Sequence, residues 1–200
     1  MARLPFVSGL LTVILLSGCA HAEPADTPDC SYDLSAMMSM DYAAFEDDLE
    51  GGWRNLGSTK GCEAETADLL EKYRVERTEW QRNRLIHHEA QLRAAAGQND
   101  QAVALLKEIL LSEDSPSMMA YRKAEIAFLS GDMPGLQAAR EALANLPPPA
   151  GFEAGVRQFL ETYPDQKPPV WPVNLDVVDG FIACFDKPYS EAYKFTCRPQ

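Results

Sequence analysis

Residues 82–146 read RNRLIHHEAQLRAAAG (82–97), QNDQAVALLKEILLSED (98–114), SPSMMAYRKAEIAFLSG (115–131) and DMPGLQAAREALANL (132–146). Apolar residues recur here at three- and four-residue steps and almost never alternate, the period of helices and not of strands. The first helix is predicted over Trp80 to Ala96, stopped by Gly97, and the second over Asp100 to Leu111. Ser115 followed by Pro116 is an N-cap with proline at the first helical position, and that helix runs to Ser130-Gly131. Asp132 caps a fourth, with Pro134 in its first turn, which ends near Leu146 because Pro147-Pro148-Pro149 cannot continue it.

Shifting this stretch by 34 residues lays Ala90 on Ala124, Leu92 on Ile126, Gly97 on Gly131, Ala104 on Ala138 and Ile109 on Leu143. Helix, glycine turn and helix fall in phase. Over roughly Arg82 to Leu146 the chain thus resembles the tetratricopeptide repeat, whose period is the same. The resemblance implies antiparallel helical hairpins stacked so that the first helices line a concave face. There Arg84, His87, Gln91, Tyr121 and Glu125 become candidate groove residues for a peptide or protein partner. Departures from the family pattern are Glu89 and Lys123 where it has Leu, Leu136 in the small position that Ala102 fills, and Arg140 in a large apolar one. The alternative is a plain antiparallel bundle with a coincidental phase.

Outward toward the N-terminus, Tyr42, Phe45, Leu49, Trp53 and Leu56 mark one helix, weakened or broken at Gly51-Gly52, and Leu69, Leu70 and Tyr73 mark another after Cys62. Outward toward the C-terminus, Phe152 to Tyr163 reads as a short helix, and prolines from Pro164 to Pro172 as an extended strap. Leu175 to Phe185 is apolar nearly all round, either a buried helix capped by Asn174 or a buried strand, and its length favours the helix. A last helical turn is expected from Tyr189 to Phe195. The chain is therefore read as all-α: tetratricopeptide-like helical hairpins over 41–146, closed by an irregular, Pro-rich, disulfide-bonded cap over 147–200.

The first residues direct the chain elsewhere. Arg3 and the apolar run Leu10 to Leu16 form a signal peptide, residues 1–18. Leu16-Ser17-Gly18-Cys19 resembles the lipobox of bacterial lipoproteins, which implies lipidation of Cys19, with residues 19–40 as a lipid-anchored tether and lead-in. By the same resemblance Ala20 points to the outer membrane, with the protein facing the periplasm. A competing A-x-A site, Ala20-His21-Ala22, would release a soluble periplasmic protein before Glu23. Either cut leaves Cys30, Cys62, Cys184 and Cys197, an even set suited to an oxidising compartment. Of the three possible connectivities, Cys30 with Cys62 and Cys184 with Cys197 each bracket a local helical segment.

Eighteen Lys plus Arg against 30 Asp plus Glu give a formal charge of −12, which disfavours nucleic acid as a partner. The excess is local: residues 23–68 carry 12 acids against only Arg54 and Lys60. Glu46, Asp47, Asp48 and Glu50 read as a solvated helix face, since the alternating calcium-loop pattern is missing. His87-His88-Glu89 invites a metal, but adjacent helical residues diverge by about 100° and no third ligand has recognisable spacing. His88 is expected on the core side with Leu85 and Leu92. His87 is expected on the open side with Arg84 and Gln91, so that His87→Ala should change stability by less than about 0.5 kcal/mol. No catalytic residue, metal or cofactor is assigned. The expectation is a membrane-anchored adaptor, with the non-enzymatic reading preferred; the alternative is an envelope enzyme or inhibitor using Trp171 to Cys197.

Overall fold

The computed structural model describes residues 28–75, 77–112 and 115–199, and among these the regular structure is entirely helical. Cys19, its lipobox and the signal segment 1–18 lie outside the described residues, as does the rest of 19–27.

The glycine turns set the frame. Helix α4 (Glu79–Ala95) ends on Gly97 at φ 77°, where Gln98 N–H donates to Arg93 C=O at 2.8 Å and Gly97 N–H to Ala94 C=O at 3.0 Å. Thirty-four residues on, α6 (Pro116–Leu129) ends on Gly131 at φ 69°, with Asp132 N–H donating to Ala127 C=O at 2.8 Å and Gly131 N–H to Phe128 C=O at 3.0 Å. This is the Schellman closure twice over, and it needs a residue without Cβ strain at the left-handed position. Asp132 then opens α7 (Met133–Ala144): its Oδ1 accepts from Gly135 N–H at 2.9 Å. Helix α5 (Asn99–Leu110) follows α4 as α7 follows α6, and links this short force each pair antiparallel.

Ala90, Ala102 and Ala124 are fully buried between packed helices, as is Leu136 in the place equivalent to Ala102. Two other departures from the repeat pattern have partners. Arg140 Nε donates to Asp179 Oδ1 at 2.7 Å, on helix α9 (Leu175–Ala183), so a cation replaces the apolar contact that Leu106 makes one repeat earlier. Glu89 is buried beside Arg74 Nε, 2.7 Å away on α3 (Glu63–Arg74).

Helix α4 is the spine. Leu85 and Leu92 enter an N-terminal core with Phe45, Leu56, Leu69, Leu70 and Tyr73, while Ile86, Ala90 and Ala94 enter the larger core shared by α5, α6, α7 and α9. N-terminal to α3, the expected single helix is cut in two. A short α1 (Leu34–Ser39) precedes a π-helical turn, Ala43–Asp47, and α2 (Trp53–Gly57) restarts after Gly51-Gly52. At Gly52, φ is 54° and a Cβ would meet Phe45 O at 2.1 Å, so the break is required by the packing of the turn. Leu49 falls in the break and is exposed.

The C-terminal part closes the larger core. Helix α8 (Phe152–Thr162) buries no residue fully, and the proline segment after it is tied back by Trp171 Nε1, which donates to Leu146 O at 2.7 Å. The helical reading of α9 holds, although Asn174 sits in the left-handed region at φ 67° and its side chain makes no cap bond. Phe181 stacks on Phe128 at 4.7 Å, and Tyr189, the first residue of α10 (Tyr189–Ala192), packs beside both. The last turn is split into α10 and a 3-10 turn, Phe195–Cys197. Cys30 is bonded to Cys62 and Cys184 to Cys197, the pairing expected from spacing.

Candidate functional site

Successive first helices of the hairpins, α4 and α6, present one side to the same space, and α10 folds back against α4. On α4 that side carries Arg84, His87, His88 and Gln91, which follow from their spacing at i, i+3, i+4 and i+7. On α6 it carries Tyr121 and Glu125, at i and i+4. Arg84, His87, Gln91 and Tyr121 line a cavity of about 580 Å³, with Asn83 and Trp80 toward its mouth and Tyr193 and Asn174 from the C-terminal part. Glu125 lies beneath the cavity wall, 1% exposed.

All five residues named from the repeat are brought together, and four form one hydrogen-bonded unit. His87 Nε2 is 2.7 Å from Glu125 Oε2; Gln91 Nε2 donates to Glu125 Oε1 at 3.2 Å and to Tyr121 Oη at 3.3 Å; Tyr189 Oη donates to Glu125 Oε1 at 3.0 Å. Burial alone would raise the Glu125 pKa, but the charge and hydrogen bond of His87, with the bonds from Gln91 and Tyr189, outweigh it and hold the carboxyl below its ordinary range. Burial and that same carboxylate push the Tyr121 and Tyr189 hydroxyls well above theirs, so both remain protonated donors.

His87 is therefore not on an open face. It is buried, its side chain 10% exposed against 22% for His88, so both histidines are largely covered and the expected contrast between an open and a core side is absent. The reason is tertiary: α6 covers His87 through Glu125 and Tyr121, while Trp53 of α2 and Glu46 of the turn before it lie against His88. His88 Nδ1 lies 2.9 Å from Glu46 Oε1, close in distance although outside hydrogen-bond alignment, and its ring is tilted against Trp53 at 5.2 Å. Burial lowers the His88 pKa, against the opposing pull of Glu46.

Glu46 corrects another expectation. Far from forming a solvated face with Asp47 and Asp48, it is fully buried, accepting from Trp53 Nε1 at 2.7 Å and lying 2.9 Å from Arg84 Nε. Burial acts to raise its pKa, and His88, Trp53 and Arg54 together bring it below the ordinary value. Arg84 also donates to Asp47 Oδ1 at 2.9 Å, so two carboxylates fix its guanidinium at the cavity lip. Glu46, Asn174 and Tyr193 were not foreseeable as members of this site. Glu46 sits in an irregular turn with no period to read, and Asn174 and Tyr193 arrive from 45 and 64 residues beyond the end of α6 at Leu129.

The arrangement offers amide, guanidinium, imidazole and hydroxyl groups around a space large enough for a short peptide segment, with Trp80 exposed at its edge. Among the described residues no three His, Cys, Asp or Glu side chains come together to hold a metal ion, and no helix is long and apolar enough to cross a membrane. The two disulfides point to an oxidising, extracytoplasmic compartment. No protein-family model matches the chain, and comparisons with curated proteins and with solved structures return no match.

Proposed function

We propose that this protein is a lipid-anchored, tetratricopeptide-like adaptor of the bacterial cell envelope that holds a segment of a partner protein in the cavity between α4 and α6. The observation that carries the reading is the convergence of Arg84, His87, Gln91 and Tyr121 on that one cavity, over a buried Glu125 that locks their geometry. Rigid polar side chains on helices, beside an exposed aromatic, are what recognition of an extended segment requires. The repeated Schellman turns and the buried Ala90 and Ala124 support the repeat assignment. The lipobox supports an anchor at Cys19 on the periplasm-facing side of a membrane, the outer one by the residue that follows it. The buried side of the C-terminal region is filled by Val178, Phe181 and Tyr189, which favours a structural cap there over a catalytic or inhibitory centre.

A photo-crosslinking amino acid at position 80, at the cavity mouth, tests the reading against one at position 137, on the exposed side of α7. The expected result is a discrete crosslinked species in the envelope from position 80 alone, lost on Gln91→Ala. Equal crosslinking from both positions removes the groove. Labelling with a palmitate analogue tests the anchor: the label should vanish in Cys19→Ala, and its survival there refutes lipidation at that residue.

A further inference from the structure

A second cleft, of about 800 Å³, opens on the other side of His88 and Gln91, between α2 with its following loop and α10. Its charge is opposite to that of the chain. The acidic segment 23–68 contains two bases, Arg54 and Lys60, and both line this cleft; Lys194 faces them from beyond α10. The acid on its wall is Glu63, whose Oε2 accepts from Gly61 N–H at 2.9 Å. Arg54 is held in place, its guanidinium 3.6 Å from Glu46 and 4.4 Å from the Trp53 ring centroid. Among the described residues neither Lys60 nor Lys194 makes an ion pair or a side-chain hydrogen bond. The nearly buried Leu92 and Tyr189, with Ala95, give the cleft an apolar floor, and Trp53, His88, Gln91, Ser58 and Ser190 complete its lining.

We propose that this cleft binds a small organic anion, its phosphate or carboxylate between Lys60 and Lys194 and its apolar body on Leu92 and Tyr189. Two lysines left without counter-ions, from segments more than 130 residues apart, keep a site positive in a chain of charge −12, where random placement would surround them with acids. A compact inorganic anion would leave the apolar floor uncovered, and a neutral ligand would leave the lysines unused. The cleft shares His88, Gln91 and Tyr193 with the α4–α6 cavity as a common wall, but the lysines and the apolar side chains proposed to hold the anion line this cleft alone, so the proposal does not depend on that cavity's reading.

Isothermal titration of the full-length protein with phenyl phosphate, inorganic phosphate and dihexanoyl phosphatidate tests the assignment. Phenyl phosphate should bind saturably, at least about tenfold more tightly than inorganic phosphate, and about tenfold more weakly to Lys60→Ala/Lys194→Ala. Lys187→Ala, whose surface lysine pairs with Asp186, should bind like the parent. Both substituted lysines are exposed, so the variant should retain its circular dichroism. Tighter binding of dihexanoyl phosphatidate than of phenyl phosphate assigns the anion to a lipid headgroup, and the reverse assigns it to a free solute. Unchanged binding in the double variant, equal affinity for inorganic phosphate, or no saturable binding below about 10 mM overturns the proposal.

Discussion

Replacing His87 by Ala isolates the electrostatics that hold α4 to α6. Glu125 is buried, and of its two oxygens Oε1 receives Gln91 and Tyr189 whereas Oε2 receives His87, at 2.7 Å. The substitution leaves Oε2 inside the protein without that partner. Removing one member of a buried pair costs about 3–5 kcal/mol, and the two remaining donors on Oε1 place this case near 3 kcal/mol. For a chain of this size that is a drop in Tm of about 6–12 °C, far outside the near-silence expected when His87 is read from helical angle alone. The pH dependence gives a sharper signature. In the parent the Glu125 pKa is depressed, so its contribution is present above the unfolded value of 4.5 and is lost as pH falls through the folded value. Without His87 burial dominates and raises the folded pKa above the unfolded one, so the variant is relatively most stable when the carboxyl is protonated. The gap between parent and variant should therefore narrow from pH 7 toward pH 4. Glu125→Gln keeps the shape and loses the charge, and should cost about 1–2 kcal/mol; combined with His87→Ala it should recover part of the loss. Urea melts at several pH values measure all of this. A His87→Ala cost under about 0.5 kcal/mol, unchanged with pH, would refute the pairing on which the site is built.

Two further outcomes test the frame. Ala124→Leu and Ala90→Leu should each destabilise by about 1–3 kcal/mol in denaturant melts, because both positions are fully buried at helix contacts; a silent Ala124→Leu means that α6 does not pack against its neighbours as described. Serine replacement of Cys184 and Cys197, which close 13 residues, should cost about 3 kcal/mol, and that of Cys30 and Cys62, which close 32, slightly more; nonreducing peptide mapping that joins Cys62 to Cys184 contradicts both.

Helix existence, helix ends and the 34-residue register were legible in the sequence because they depend on neighbours within a few residues. Gly97 and Gly131 end helices by backbone conformation, Ser115 and Asp132 begin them by local hydrogen bonds, and Pro147 to Pro149 stop one by lacking a donor. The two cysteine pairs were readable for the same reason, since each spans one local segment. Helical angle also selected five residues of which four line one cavity and the fifth, Glu125, lies beneath its wall, as it specifies which side of α4 and α6 faces inward. What angle does not carry is what lies opposite that side. His87 and His88 are adjacent on a helix of polar appearance, and only the arrival of Glu125 and Tyr121 of α6 at one and of Trp53 of α2 at the other decided that both would be covered. Glu46 looked solvated because three of its neighbours are acidic, yet Trp53, Arg84 and His88, up to 42 residues away, supply the partners that make its burial tolerable. Burial of a charge depends on partners distant in sequence, and no local pattern records them.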